Sequence, residues 1–233
     1  MKRAFLLSGL ILIFYMTSFS QKVSEVKIYG NRYFTGRYIK ELLSLYSEFD
    51  NLMKEGLFTL LEEYRKAGFY YAQIDSVRTP KISDSELLDV EIYITEGNLC
   101  RVGDLNISGM INIDSSNVKR NLSLSGGSTI RDDKFESDIK YILDLYERRG
   151  FPFVKVEIGE VSALRKEGKS TLFKIDLKVD EGPLVKLDSI HFEGNNNTSS
   201  RFLLRETRLY KGLIYDQRRI DSAAKRLLRM EFI

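Results

Sequence analysis

VSEVKIYG (residues 23–30), VGDLNISG (102–109) and LDSIHFEG (187–194) are one strand-like phrase written three times, with Gly30, Gly109 and Gly194 spaced 79 and 85 residues apart. Repetition at such a period outranks any single motif, because each copy is a supersecondary unit that buries its core with its own elements and its neighbours. The chain therefore reads as a tandem array of small α/β modules. Its function is to be sought in what arrays do.

The remaining elements recur in the same order. A helix-period run that ends in glycine and passes into a β-rich run appears as LLEEYRKAGFYYAQI (60–74) and LDLYERRGFPFVKVEI (143–158), which places Gly68 and Gly150 82 residues apart. An alternating strand closing on Glu-Gly comes next both times, as DVEIYITEG (89–97) and KIDLKVDEG (174–182). Each unit thus reads β, α, α, β, β, an α+β design in which two helices cover one face of a three-stranded sheet. The units are bounded at 22–98, 99–183 and 184–233.

The periodicities agree. Between 132 and 149, Phe135, Ile139, Ile142, Leu143 and Tyr146 fall on one face of a 3.6-residue period, with Lys134, Glu136, Lys140 and Glu147 elsewhere. Val154, Val156 and Ile158, then Ile175, Leu177 and Val179, alternate with charged residues at a period of two, which predicts a sheet with one covered and one wet face. Gly68 and Gly150 sit where a helix must turn into a strand, a place for the left-handed cap that glycine adopts without a Cβ penalty.

The first twenty residues read differently. Lys2 and Arg3 precede an uncharged apolar run from Ala4 to Phe19, and Ser18 and Ser20 are spaced for cleavage before Gln21. Sixteen residues fall short of the roughly 20 that a membrane-crossing helix needs, so the run is read as a secretory signal rather than an anchor. The 43% hydrophobic content is ordinary for globular units.

Net charge is +3 for the whole chain, but it is unevenly placed: ten cations against thirteen acids in 22–98, fourteen against fourteen in 99–183, and ten against six in 184–233. Arg218, Arg219, Lys225, Arg226 and Arg229 carry much of the C-terminal excess on one predicted helix. Such a face is read either as a surface for anionic headgroups, phosphate or a partner, or simply as a solvated helix side.

Catalytic and metal constellations do not assemble. His191 is the sole histidine and, alternating with Ile190 and Phe192, points to the wet side of a predicted strand. Cys100, the sole cysteine, cannot form an internal disulfide and reads as a small filler at the junction of the first two units. Asp132 and Asp133 open a helix, where carboxylates complement the dipole. SLSGGST (123–129) lacks the lysine and preceding strand of a phosphate loop and reads as a connection between helices. Neither an enzyme nor a cofactor is expected.

LSLSGGSTIRDDKFESDIKYILDLYERRGFPFVKVEI (122–158), together with FKIDLKVDEGPLVKLDSIHFEGN (173–195), resembles the polypeptide-transport-associated (POTRA) domain of outer-membrane β-barrel assembly proteins. Tyr146, Gly150, Phe151, Glu181 and Gly182 carry the pattern, as do Tyr64, Gly68, Phe69, Glu96 and Gly97, and the third unit matches through 205–233. In the BamA-like and TamA-like members such repeats precede a transmembrane β-barrel. The third unit reaches only Phe232 and Ile233, where its second strand should begin, so the sequence reads as a fragment whose barrel is missing.

The resemblance implies a periplasmic segment of an outer-membrane protein that accepts unfolded β-barrel clients, with accessory lipoproteins as further partners and no nucleic acid. It also implies that the second strand of each unit is the open edge on which an extended client adds by backbone pairing. That places client contacts at Tyr71 and Gln73 within 70–79, and at Phe153, Lys155 and Glu157 within 153–161. The alternatives are the repeat region of a two-partner secretion transporter and a division scaffold behind an inner-membrane anchor.

In a bacterial host with export machinery, the mature chain is expected to begin at Gln21. N-terminal sequencing that finds Met1 retained in an inner-membrane fraction would favour the anchored scaffold instead.

Overall fold

The computed structural model describes residues 21–80, 87–195 and 198–230. The signal at 1–20 and the chain's last residues, Phe232 and Ile233 among them, lie outside the described residues. The described residues divide into two compact bodies, one from those within 21–61 and 73–95, the other from those within 62–72 and 96–230.

In the first body, strand β1 (Lys22–Tyr29) runs parallel to β3 (Leu87–Thr95), and β2 (Gln73–Arg78) pairs antiparallel on the other side, giving the order β1-β3-β2. Val90, Ile92 and Ile94 alternate inward from β3 and are buried with Ile39, Leu43, Leu52 and Leu60 of the helical layer. Each such side chain removed from water contributes about 2 kcal/mol before chain entropy is charged against it. Helix α1 (Gly36–Leu43) starts at Thr35, whose hydroxyl accepts from Tyr38 N at 3.2 Å and so satisfies one of the free amides of the first turn. A short turn of helix, α2 (Phe49–Asn51), passes through a wider π turn (Leu52–Gly56) into α3 (Leu57–Lys66).

The second body repeats the plan with β4 (Leu99–Ser108) parallel to β6 (Ser170–Asp180), and β5 (Lys155–Glu167) antiparallel to β6. The order β4-β6-β5 puts β6 in the middle, paired on both sides, and leaves β5 at the rim. Ile175, Leu177 and Val179 of β6 share one buried core with Ile142 and Tyr146 of α5 (Asp132–Glu147), and Val118 of α4 (Ser115–Lys119) closes it. The α+β class and the two helices over a three-stranded sheet are as the sequence implies.

Two of the glycines that end the repeated phrase, Gly30 and Gly109, have a steric reason. Gly109 lies at φ +83°, and a Cβ there would stand 2.0 Å from Val179 O; Gly30, at φ +90°, would meet Ile94 O at the same 2.0 Å. First and third strands thus approach each other by backbone alone.

Three expectations need correction. The buried stripe of α5 runs through Asp138, Ile142 and Tyr146, while Phe135 is only half-buried. An acid at the centre of that stripe is accommodated because Asp138 accepts from Ser123 N (2.9 Å) and Leu124 N (2.8 Å). Ile158 does not turn inward: the register slips between Ile158 and Val161, and both lie more than half exposed. The phrase at 187–194 forms no strand, since no third strand is present among the described residues to pair with it as β6 pairs with β4.

The third repeat does supply its two helices, α6 (Ser200–Thr207) and α7 (Gln217–Leu228). It also keeps a backbone bracket found in every repeat. In the second, Val102 N donates to Ser128 O and Ile130 N to Cys100 O; in the third, Leu187 N donates to Leu213 O and Tyr215 N to Val185 O. In the first, Val23 N donates to Ser47 O and Phe49 N to Gln21 O. The loop containing SLSGGST is therefore a clamp that ties the inter-helix connection to the first strand.

Residues 188–193, lacking a ladder, are expected to exchange amide hydrogens much faster than 103–108, which pair with β6. Exchange followed by NMR checks this, and equal protection of the two stretches would show that the third phrase is paired after all.

Candidate functional site: an open strand edge behind a tyrosine–glutamate bracket

The candidate site is built around the end of α5. Tyr146, fully buried, donates its hydroxyl to Glu181 Oε1 at 2.6 Å, and the same oxygen accepts Ile111 N (2.6 Å) and Asn112 N (2.9 Å). The other carboxylate oxygen takes the Asn112 side-chain amide. Glu181 is only 6% exposed. Burial alone would raise its pKa, but the hydrogen bonds from Tyr146, the Asn112 and Ile111 backbone and the Asn112 side chain outweigh that and hold it below the ordinary value. Burial, reinforced by the bond to Glu181, pushes the Tyr146 hydroxyl well above its usual range.

The rest of the bracket depends on this bond. The Tyr146 ring meets Phe151 edge-on at 5.9 Å, and Phe151 N returns to Tyr146 O. Gly182, at φ +64°, then brings the chain beneath Phe153, whose Cβ lies 3.3 Å from where a Cβ on Gly182 would stand. Gly150 O accepts Val185 N at 2.7 Å, so the helix end is joined directly to the next repeat.

Within the second body the same construction appears once more. Tyr64 donates to Glu96 Oε1 at 2.9 Å, Phe69 packs edge-on to Tyr64 at 6.1 Å, Cys100 N donates to Gly68 O, and Gly97 lies beneath Tyr71. Cys100 is buried as a filler, and burial pushes its thiol up.

These brackets deliver the residues at the strand entries. Phe153 is 63% exposed two residues before β5, and Lys155 and Glu157 are exposed on β5 itself. Tyr71 is exposed in the turn before β2 and stacks on Phe173 at 6.3 Å, whereas Gln73, at the start of β2 in the first body, bonds to Asp75. The structure thus collects Phe153, Lys155 and Glu157 on one rim and leaves Tyr71 and Gln73 in different bodies.

Sequence reasoning missed the apolar part of this rim. Ile158, Val161 and Leu164 are each about half exposed on β5. Ile158 and Val161 also line an open groove of about 330 Å³ with Tyr70, Tyr71, Phe135 and Phe173. Tyr70 is fixed there by its bond to Asp132 at 2.7 Å, so Asp132 does more than open a helix. The missed signal is the shift from alternation to the run GEVSAL after Ile158, which marks a bulge. Of the basic residues on α7 and its C-cap, Arg218, Arg219 and Arg226 line one concave surface, with Arg226 half-buried and donating to Thr207 O, while Lys225 and Arg229 are exposed outside it.

Among the described residues no group of three or more His, Cys, Asp or Glu could hold a metal, and no helix is long and apolar enough to cross a membrane. His191 is exposed.

Residues 100–182 match the profile of the POTRA family, described as a surface antigen variable number repeat. The second repeat is a POTRA domain, as the resemblance implies. The chain is 21% identical over 223 residues to the outer membrane protein assembly factor BamA of Buchnera aphidicola, covering 91% of this chain and 36% of that protein. It is 28% identical over 172 residues to BamA of Nitratidesulfovibrio vulgaris, covering 69% and 21%. The chain thus spans about a third or less of these relatives. In fold it is similar to POTRA3-5 of BamA from Haemophilus influenzae, with a TM-score of 0.52 at 20% identity over 91% of this chain and 86% of that one.

Because the folded pKa of Glu181 is depressed, its contribution to stability is present above the ordinary value of 4.5 and is lost as pH falls through the lowered one. Glu181→Gln is expected to cost about 1–3 kcal/mol at pH 7, and Tyr146→Phe about 1 kcal/mol, in urea unfolding. The Gln variant should also lose part of the acid-side fall in stability as pH drops below about 4.5. A variant as stable as the parent at pH 7 would remove the bracket from the account.

Proposed function

We propose that this chain is the periplasmic, client-binding portion of an outer-membrane protein assembly or insertion factor, made of three POTRA repeats at 22–98, 99–183 and 184–233. The names of the relatives and the POTRA profile support the class. The full protein resides in the outer membrane through a β-barrel and takes unfolded outer-membrane β-barrel proteins as clients. Accessory lipoproteins dock on its repeats.

The observation that carries the mechanism is the position of β5. It pairs with β6 on one side only, and its other side offers main-chain donors and acceptors beside exposed apolar side chains. An extended client added there gains backbone hydrogen bonds that do not depend on its sequence. The groove at Ile158 and Val161 then accepts an apolar side chain from every second client residue, the pattern that a barrel strand presents. An exposed apolar edge is otherwise a liability, and here charged Lys155, Glu157, Arg165 and Lys166 interrupt it. The first body offers a shorter edge of the same kind in β2, with Gln73 at its start.

The test uses a peptide copied from an outer-membrane barrel strand and its affinity for the chain by fluorescence anisotropy. Lys155→Ala and Glu157→Ala remove side chains but keep the main chain, so affinity is expected to stay within about twofold. Proline at Val156 or at Glu157 removes one of two adjacent amides that face opposite sides of the strand. Only the position whose N–H faces away from β6 is expected to lose binding with the fold intact, by about tenfold or more. Loss of binding in both alanine variants, or none in either folded proline variant, would show that clients are not held by backbone pairing on β5.

A further inference from the structure

The second and third repeats differ at one buried position, and the difference has electrostatic consequences. Residues 85 apart correspond through this region, as the shared backbone bracket of Cys100 with Val185 and Ile130 with Tyr215 shows. Asp138, which supplies a carboxylate to the amides of Ser123 and Leu124, therefore corresponds to Ala223. Ala223 is buried at 2% exposure and brings no charge, while the residues matching Ser123 and Leu124 are Arg208 and Leu209. Where the second repeat carries its own anion, the third carries cations.

Arg208 caps α6 in the left-handed conformation at φ +58°, the only positive φ of a non-glycine residue among the described residues. It lines a cavity of about 370 Å³ with Arg218, Arg219 and Arg226 and no carboxylate. Arg226 gives one guanidinium nitrogen to Thr207 O, but its buried Nε has no partner. Arg219 also lines a neighbouring cavity of about 610 Å³ with Arg148, Arg149 and Lys186, opposed by Asp216 alone. Asp216 is already engaged, accepting from Arg218 N and standing 3.6 Å from Arg219 Nε. Among the described residues Arg148, Arg149, Lys186, Arg208 and Arg218 form no ion pair.

We infer that these two cavities, joined at Arg219, form a binding site for a phosphate-bearing ligand, either the headgroups of an anionic phospholipid surface or a soluble polyphosphate. Planar guanidinium groups converging from three elements match phosphate oxygens in paired hydrogen bonds. The concentration of like charge around concave walls raises the local concentration of anions. The ligand supplies from outside the negative charge that Asp138 supplies within the second repeat. The site is independent of the β5 edge.

Binding is tested on the full chain at physiological salt. Inorganic pyrophosphate is titrated while backbone amides of 206–219 are followed by NMR. In parallel, the chain is sedimented with phosphatidylcholine vesicles with and without phosphatidylglycerol. Arg219→Ala and Arg149→Ala remove cations that line the cavities. Lys225→Ala and Arg229→Ala remove equal charge from the same region outside them. Saturable pyrophosphate binding that weakens about tenfold in Arg219→Ala but less than about twofold in Lys225→Ala supports the site with a soluble source. The same pattern with phosphatidylglycerol vesicles alone supports it with a lipid source. Binding to neither, or equal losses in all four variants, overturns it.

Discussion

The hydrogen bond from a buried tyrosine at a helix end to the glutamate that closes the last strand is the constraint on which the repeat depends. Tyr146 and Glu181 are 35 residues apart, and their bond fixes the C-terminal end of α5 against the exit of β6. A buried carboxylate is costly unless satisfied. Glu181 meets that demand by collecting the amides of Ile111 and Asn112 as well, which ties the exit of β4 to the same point. One acid thus holds a helix and two strand ends, and Tyr64 with Glu96 repeats the helix-to-strand part of that arrangement. The neighbouring stretches of chain are positioned in turn: the Glu-Gly turn, the aromatic at the strand entry, and the glycine carbonyl that receives the next repeat.

The proposed client site lies where this construction leaves main-chain groups unpaired. The central strand is taken on both sides, and the first strand is partly closed by the clamp from the inter-helix loop. The second strand keeps a free side, and its bulge turns Ile158 and Val161 outward to the groove beside it. A site made of main chain and a shallow apolar groove suits many clients of differing sequence, because backbone pairing is indifferent to the side chains that a client carries. The third repeat adds a separate surface by replacing a buried acid with alanine and surrounding the loop with arginines.

Much of this was legible in the sequence where the physics is local. The triplicated phrase revealed the repeat, Gly68 and Gly150 marked helix ends that do lie at positive φ, and Glu-Gly marked strand exits. Tertiary partnerships were not legible. Asp138 looks like one more polar residue on an amphipathic helix, since the amides that justify its burial lie fourteen and fifteen residues earlier in a loop. Ile158 continues an alternation that a bulge interrupts, and a bulge is a property of the pair of strands. The phrase at 187–194 has the composition of a strand, but a strand exists only with a partner. The arginines of α7 could be placed on one helix from the sequence, but not the meeting of Arg218, Arg219 and Arg226 with Arg208, nor that of Arg219 with Arg148 and Arg149.

The central claim, that β5 is an edge kept open for an incoming chain, is tested most directly by hydrogen exchange on its individual amides with and without a bound outer-membrane strand peptide. In the free chain, the amides of 155–163 bonded to β6 should be protected and the alternating set should exchange quickly. Adding peptide is expected to slow that alternating set and leave α5 unchanged. Protection gained along Phe135–Tyr146 with β5 unaltered would contradict the account.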